Sequence, residues 1–113
     1  MKMNIVAVTA CISGVAHTYM AAELIEKYCQ KNGIKIVVET QGALGTENLL
    51  SVNAIHDADV ALIIADINIE GDDRFMHTRQ IRSNISTFLR NPDRIFSLLN
   101  KAYNSPPDTV ISL

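Results

Sequence analysis

The chain has 113 residues, of which 48% are hydrophobic and 19% charged, and its net charge is −2. This length suits one domain with its own core, and the composition is ordinary for a globular protein. The longest apolar run, Val60 to Ala65, is far shorter than the roughly 20 residues that span a bilayer, and the start of the chain lacks a signal-peptide pattern. The net charge disfavours a general nucleic-acid binder. We therefore expect a cytosolic protein that meets a membrane only through a partner.

The N-terminal part of the chain predicts a buried strand followed by an amphipathic helix. The strand covers about residues 3–9, and its run Ile5 to Val8 is apolar throughout. Both of its faces are therefore expected to be buried, as in a parallel sheet covered by helices. A loop at 10–16 leads to a helix over about 16–31, whose apolar residues recur at helical spacing. These residues are Ala21, Leu24, Ile25 and Tyr28.

Two further strands and a short helix are predicted in the middle of the chain. Ile34 to Glu39 forms the second strand, and Thr40 to Gly45 is a loop whose small residues permit close backbone approach. Ser51 is the expected N-cap of a weak helix. Val60 to Ala65 is the third strand, and its uniform hydrophobicity places it in the middle of the sheet.

The last part of the chain predicts an edge strand and two helices. Residues 67–78 are expected to be loop, and Arg79 to Arg82 is a short fourth strand whose arginines suit an edge. Ser83 is the expected cap of the next helix, and Asn91-Pro92 begins another. No helical or strand pattern follows Tyr103.

Strands that alternate with helices predict an α/β fold with right-handed crossovers. We expect a single three-layer domain over residues 1–103, with a four-stranded parallel sheet in the order 2-1-3-4, helices on both faces, and a flexible tail at 104–113. Ligands of such sheets bind at the carboxyl ends of strands one and three. Cys11 falls at that place, and Asp66, which follows the third strand, is expected beside it.

The charged and sulfur-containing residues narrow the functional classes. All the arginines lie within residues 74–94, which indicates either a solvated face or a docking surface for an acidic or phosphorylated partner. Two cysteines in a cytosolic chain do not imply a disulfide, and Cys29, late in the first helix, is interpreted as structural. The three histidines lack a zinc-binding spacing. We expect neither a metal nor a cofactor.

Cys11 stands between a buried strand and the start of a helix. The N-terminus of a helix offers unpaired backbone N–H groups and a positive dipole end, which favour a bound anion and favour the thiolate over the thiol. The N–H groups of about Ser13 to His17 are expected to surround such an anion, and Gly14 lets the backbone approach it closely. The hydroxyls of Ser13 and Thr18 would add donors. The first hypothesis is a cysteine that carries a phosphoryl group.

Three phosphate-handling patterns can be tested against this loop. The Walker pattern fails because no lysine lies between Lys2 and Lys27, and the dinucleotide pattern Gly-x-Gly-x-x-Gly is absent after the first strand. The pattern of small cysteine phosphatases, cysteine and five residues and then arginine, ends here in His17. That arginine clamps the transferring phosphoryl group, so hydrolysis without it should be poor. A phosphoryl carrier needs such slow hydrolysis.

The residues around Cys11 resemble a known family. The resemblance is carried by Ala10-Cys11-x-x-Gly14-x-Ala16-His17-Thr18-x-Met20-Ala21-Ala22, with Glu39-Thr40-Gln41-Gly42 downstream. These motifs are similar to those of the fructose-type IIB domains of the bacterial sugar phosphotransferase system. The family usually has proline and threonine after the cysteine, where this chain has Ile12 and Ser13. Loss of the proline removes a fixed φ angle and adds an N–H group, which softens the loop.

The resemblance implies a phosphoryl relay. A phosphohistidine on a IIA protein would pass its phosphoryl group to Cys11, the implied catalytic nucleophile. Cys11 would pass it to a fructose-like sugar bound by the membrane IIC protein, which couples uptake to phosphorylation. The phosphoryl-binding loop would consist of Ile12, Ser13, Gly14, Val15, Ala16, His17 and Thr18.

Several roles and two other functions stay open. His17 either stabilises the thiolate or caps the helix, while Asp66 and Arg74 are candidate partner contacts. One alternative function is a small cysteine phosphatase, which hydrolysis of an aryl phosphate would support. The other is a non-catalytic regulatory module, whose docking role should survive the substitution Cys11→Ser.

Overall fold

A mixed β-sheet forms the centre of the protein. The computed structural model describes residues 3–11 and 15–113. The strands found within these ranges are β1 (Asn4–Ala10), β2 (Lys35–Gly42), β3 (Gly45–Glu47), β4 (Val60–Ala65), β5 (Gln80–Ser83) and β6 (Val110–Ser112). They form one six-stranded sheet in the order β3-β2-β1-β4-β5-β6. The β2–β3 pair is antiparallel, and the other neighbours are parallel.

The helices lie on both faces of this sheet. They are α1 (Val15–Lys31), α2 (Val52–Asp57), α3 (Ile85–Arg90), α4 (Pro92–Phe96) and α5 (Leu99–Tyr103), together with a 3₁₀ helix at Asp72–Phe75. One buried cluster joins the β1 residues Ile5 and Ala7 to α1, α3, α4 and α5. A second joins Val6 and Val8 of the same strand to α2 and the 3₁₀ helix. None of the described helices has the length and hydrophobicity needed to cross a membrane.

The sheet differs from the predicted four-stranded parallel sheet, because it has six strands and one antiparallel pair. The first difference lies at Thr40 to Gly42, which the sequence predicted as loop. These residues continue β2, since they pair with Thr9 and Ala10 on one side and with β3 on the other. A φ angle of +89° at Gly45 lets the chain turn back into β3, a conformation that glycine adopts at little cost.

The second difference lies in the segment predicted as a flexible tail, residues 104–113. Its residues Val110–Ser112 form β6 and pair with β5 in parallel. The Leu113 N–H donates to the Arg82 carbonyl, and the Gln80 N–H donates to that of Thr109. The backbone groups along the outer edge of β5 gain partners in this way, which hydropathy alone could not reveal.

The helix caps agree with the sequence in one case and correct it in another. Ser51 caps α2 as predicted, because its hydroxyl accepts from the Ala54 N–H at 3.0 Å. The cap of α3 is Asn84 rather than Ser83, since the Asn84 side chain accepts from the Thr87 N–H at 2.7 Å. Pro92 begins α4 as predicted, but the expected continuous helix ends at Phe96 and resumes as α5.

Candidate functional site

Cys11 follows β1 directly and lies at the carboxyl edge of the sheet. Its residue surface is only 7% exposed, and its N–H donates to the Gln41 carbonyl of β2 at 3.2 Å. A Cβ placed on Gly42 would lie 3.9 Å from the Cys11 carbonyl oxygen, so the ends of the two strands run side by side. The strand end therefore fixes the backbone of Cys11 from the β2 side, and α1 begins four residues later at Val15.

Cys11 lines a cavity of about 280 Å³ at this edge. Two segments complete the described part of its wall, the β2–β3 hairpin and the loop after β4. The residues that line it with Cys11 are Gln41, Gly42, Gly45, Thr46, Ile67, Asn68 and Glu70. Four of these residues, Gln41, Thr46, Asn68 and Glu70, have polar side chains that offer hydrogen-bonding groups to a small ligand.

The Gln41 side chain ties the loop after β4 to the end of β2. Its Nε2 donates to the Glu70 carbonyl at 3.0 Å, and its Oε1 accepts from the Glu70 N–H at 2.8 Å. The same Nε2 also donates to Glu39 Oε2 at 2.7 Å. These partners determine the orientation of the Gln41 amide, since its NH₂ group faces two acceptors and its oxygen faces a donor.

A buried ion pair stands behind this amide. Arg74 binds Glu39 in a bidentate manner, with Nη1–Oε1 and Nη2–Oε2 distances of 2.8 and 2.9 Å, while the Glu39 side chain is fully buried. Burial by itself raises the pKa of Glu39, but hydrogen bonds from Arg74, the Leu50 N–H and Gln41 outweigh it and hold that pKa below the ordinary 4.5. Hydrogen bonding to Glu39 raises the pKa of Arg74, against an opposing effect of burial. Both groups are thus charged at neutral pH.

The local sequence explains how this pair forms. Glu39 and Gln41 alternate along β2 and therefore point to the same face of the sheet. Arg74 reaches them from the 3₁₀ helix by folding back over Gly71, whose carbonyl accepts from Arg74 Nε at 2.7 Å. A Cβ at Gly71 would collide with the Arg74 guanidinium, and the φ angle there is +71°. Only glycine suits that position.

The structure describes only part of the predicted phosphoryl-binding loop. Ile12, Ser13 and Gly14 lie outside the described residues, and Val15 begins α1. Ala16 and His17 are exposed in the first turn of the helix. Thr18 is 1% exposed, and its carbonyl accepts from the Thr9 hydroxyl at 3.2 Å. Among residues 3–11 and 15–113, its own hydroxyl finds no hydrogen-bond partner.

The two predicted partner contacts have internal roles in the structure. Asp66 Oδ1 accepts from the Ile85 N–H at the start of α3 at 2.9 Å, and Asp66 lines a neighbouring cavity rather than that of Cys11. Arg74 uses its guanidinium on Glu39, Gly71 and Glu70. Arg74 therefore uses its guanidinium inside the protein, and its contact with a partner stays a prediction.

The arginine cluster as a whole is likewise partly internal. Arg82 binds Asp72 with Nη–Oδ distances of 2.9 and 3.4 Å, and Arg79 Nε donates to the Ser105 carbonyl at 2.6 Å. Arg90 and Arg94 are exposed on their helices. Three of the five arginines therefore bind groups of the protein itself, and the choice between a solvated face and a docking surface concerns mainly Arg90 and Arg94.

Sequence reasoning had not assigned a role to Gln41, Asn68 or Glu70. Gln41 was noticed only as part of the Glu39-Thr40-Gln41-Gly42 motif. A signal was present in the alternation of two polar residues at the end of a buried strand, which is costly unless both have partners. A further tie joins α1 to the hairpin, since the Tyr19 hydroxyl donates to the Glu47 carboxylate of β3.

The sequence and the fold were compared with known proteins. Residues 6–98 match the family described as PTS system, Lactose/Cellobiose specific IIB subunit. The chain is 51% identical over 109 residues, 96% of either chain, to the PTS system fructose-like EIIB component 3 of Escherichia coli K12. It is 43% identical over 100 residues to the Fructose-like PTS system EIIBC component of the same strain, of which it covers 21%.

The fold is also similar to a solved structure. The crystal structure titled as a predicted fructose-specific IIB from Escherichia coli superposes with a TM-score of 0.92. The sequence identity in that comparison is 51%, and the match covers 96% of each chain. At this identity the likeness reflects common descent as well as a common fold.

Proposed function

Because the chain belongs to the IIB family of the sugar phosphotransferase system, we propose that it carries a phosphoryl group on Cys11. It would accept this group from a phosphohistidine of a IIA protein and pass it to a sugar bound by a membrane IIC protein. The observation that carries the proposal is the position of Cys11, at the carboxyl end of β1, ahead of α1, and on the wall of a small cavity.

The chemistry consists of two displacements at phosphorus. In the first, the Cys11 thiolate attacks the phosphohistidine, the N–P bond breaks with its electrons passing to the imidazole, and an S–P bond forms. In the second, a sugar hydroxyl oxygen attacks phosphorus, loses its proton to the surroundings, and the sulfur leaves as a thiolate. Backbone N–H groups ahead of α1 would bind the phosphoryl oxygens, and α1 supplies the positive end of its dipole.

The partners are inferred from the relatives. The relative named EIIBC supports a IIC protein as the acceptor side, and the IIA donor follows from the family's relay. The two named relatives are called fructose-like, whereas the family description names lactose and cellobiose. Since these relatives are 51% and 43% identical to the chain, we favour a fructose-like sugar. Contact with the membrane would go through the IIC partner.

The phosphatase alternative finds less support at the cavity. Among its described lining residues there is no arginine or lysine to clamp a phosphoryl group, and Arg74 is bound to Glu39. We therefore expect a stable phosphocysteine rather than rapid hydrolysis. A purely regulatory module would need no cysteine at this position, so the same experiment separates it from a carrier.

The test is intact-mass measurement with peptide mapping. The purified protein is mixed with phosphoenolpyruvate, the general phosphotransferase proteins and a fructose-type IIA protein. We expect the mass of one phosphoryl group to be gained on Cys11. The variant Cys11→Ser should gain none, whereas Cys29→Ser, which alters the cysteine inside the core, should gain it as the wild type does.

The proposal fails if the wild type gains no phosphoryl group with any of several fructose-type IIA proteins. It also fails if the group maps to another residue, or if Cys11→Ser gains it equally. Rapid release of inorganic phosphate from an aryl phosphate, dependent on Cys11, would favour the phosphatase instead.

A further inference from the structure

We propose that Gln41 is a positioning residue, whose amide holds the loop 67–70 as the wall of the Cys11 cavity and thereby sets the geometry for phosphoryl transfer. The effect on phosphoryl transfer rests on the proposed function. The clamp, meaning the two hydrogen bonds between the Gln41 amide and the Glu70 backbone, is tested separately. Gln41 does not need to touch the phosphoryl group for this role. It acts on the groups that surround the cysteine.

The contacts of Gln41 join three parts of the molecule. Its carbonyl accepts from the Cys11 N–H at 3.2 Å, and its side-chain amide forms a two-way bridge with the backbone of Glu70. This bridge copies the donor and acceptor pair that a neighbouring strand would offer. One residue thus fixes the cysteine backbone and the opposite wall of the same cavity.

The ion pair of Glu39 and Arg74 holds the Gln41 amide in place. Glu39 Oε2 accepts from Gln41 Nε2 at 2.7 Å and from Arg74 Nη2 at 2.9 Å. Arg74 Nη2 also donates to the Glu70 carbonyl at 2.9 Å, so two side chains converge on one loop carbonyl. Gln41 is 7% exposed and Glu39 is fully buried, which leaves little room for either amide or carboxylate to turn away.

The held loop matters because its residues line the same cavity as the cysteine. Ile67, Asn68 and Glu70 supply one wall of the cavity of about 280 Å³, and Cys11 supplies another part. A displacement of about 1 Å in a reacting geometry can cost a large factor in rate, so the wall position bears on transfer. The loop has no regular secondary structure over these residues. The side chains of Gln41 and Arg74 instead donate hydrogen bonds to the Glu70 carbonyl, as a neighbouring strand would.

Two substitutions separate the parts of the clamp. Gln41→Met keeps the length of the side chain and removes both the donor and the acceptor. Gln41→Glu keeps the acceptor for the Glu70 N–H, but it places a carboxylate oxygen against Glu39 Oε2 and the Glu70 carbonyl. Gln30→Glu, at an exposed position on α1, is the matched control for the added charge.

The first measurement is amide hydrogen exchange of Glu70 together with alkylation of Cys11. In Gln41→Met we expect Glu70 exchange to accelerate about 5- to 10-fold, as loss of one hydrogen bond allows. We also expect the rate for a bulky maleimide, relative to iodoacetamide, to rise severalfold at Cys11. Cys29 is fully buried and reports global opening, so it should stay unmodified.

The second measurement is the rate of phosphoryl uptake from a IIA donor. For both Gln41 variants we expect kcat to fall about 10-fold while KM for the donor changes less than about twofold, because the cavity geometry is altered and the outer surface is kept. Gln30→Glu should match the wild type in both constants. A role in stability alone would shift the unfolding midpoint without this division between kcat and KM.

Several outcomes would overturn the inference. Unchanged Glu70 exchange and an unchanged reagent ratio in Gln41→Met would show that no clamp exists. Modification of Cys29 in step with Cys11 would show general loosening, and an unaltered kcat would show that the wall does not govern transfer. If the wild type takes up no phosphoryl group, the proposed function fails, while a changed reagent ratio in Gln41→Met still supports the clamp.

Discussion

The two cysteines of this chain lie at opposite ends of the same buried cluster, and their surroundings differ in kind. Cys11 is 7% exposed, follows β1 and lines a cavity at the sheet edge. Cys29 is 0% exposed and lies near the end of α1, where the chain turns toward β2. Both are buried by any measure of surface area. Burial alone therefore does not distinguish a cysteine suited to chemistry from one suited to packing.

What differs is what stands beside each cysteine. Next to Cys11, the end of β2 carries Gln41 and Glu39, which hydrogen bonds and charge join to Arg74 on the opposite face of the sheet from the cluster. The Cys29 end is held by apolar packing, where the rings of Tyr28 and Phe96 stack with centroids 3.9 Å apart. Directional bonds define a cavity of fixed shape, whereas close packing leaves a thiol without space or partners.

The largest effect should follow from removing the cation behind the cavity. Arg74→Met leaves Glu39 fully buried with its charge unpaired, and such a loss typically costs about 3 kcal/mol of unfolding free energy. Urea unfolding of the variant and the wild type measures it. The expected loss is roughly 150-fold in the folding equilibrium, since each 1.4 kcal/mol is about a factor of ten.

Arg82→Met is the matched control for that measurement. Arg82 also binds a carboxylate in a bidentate manner, but its partner Asp72 is 48% exposed, so we expect a loss below about 1 kcal/mol. Equal losses in the two variants would mean that burial of Glu39 does not matter. The comparison of a polar end and an apolar end would then lose its energetic basis.

The next effect concerns the reactivity of the two thiols. Burial raises the pKa of Cys29 from the ordinary 9.0 to about 11, which reduces its thiolate fraction at neutral pH about 100-fold. Iodoacetamide at pH 7 should therefore modify Cys29 far more slowly than Cys11, since the thiolate is the reactive form and Cys29 is 0% exposed. Peptide mapping over time measures both rates in one sample. Comparable rates in the folded protein would contradict the division between the two ends.

A smaller effect should follow from a polar atom placed at the apolar end. Cys29→Ser buries a hydroxyl in a fully buried position and should cost about 2 kcal/mol of unfolding free energy. Cys11→Ser should cost less than half as much, because Cys11 lines an open cavity and the serine hydroxyl would not be fully enclosed. Thermal or urea unfolding of both variants decides this, and the reverse order would contradict the difference between the surroundings of the two cysteines.

The contrast between the ends also shows what the sequence could predict. The apolar end follows in part from periodicity: the run Ile5 to Val8 is buried, and so are Ala21 and Ile25 of the predicted helix stripe, whereas Leu24 of that stripe is 36% exposed. Ser51 was recognised as a cap because capping is a local interaction. Cys11 was placed at the sheet edge for the same reason, since a strand end and a helix start are local signals.

The polar end could not be predicted in this way, because its contacts join distant residues. Arg74 and Glu39 are 35 residues apart, and Gln41 and Glu70 are 29 apart. The sequence therefore predicted a partner contact for Arg74 but not its ion pair with Glu39. The strand β6 was missed for a similar reason, since its pairing with β5 depends on an available edge rather than on a pattern.

The smallest effect concerns acid, and it again separates the two ends. The folded-state pKa of Glu39 lies below the ordinary 4.5, with burial opposed by stronger hydrogen bonds from Arg74, Leu50 and Gln41. Above pH 4.5 the carboxylate is charged in the folded and unfolded states, so its contribution to stability is complete. Below that pH the unfolded chain takes up the proton first, and stability is lost as pH falls through the folded-state pKa. One proton limits this loss to about 1.4 kcal/mol per pH unit.

Urea unfolding at a series of pH values should therefore show a steeper loss of stability toward acid pH in the wild type than in Glu39→Gln. In Arg74→Met the opposing effect of burial meets fewer hydrogen bonds, so the decline should also flatten. An identical slope in all three proteins would mean that Glu39 takes up its proton alike in both states, and that the Cys11 end is no more sensitive to acid than the Cys29 end.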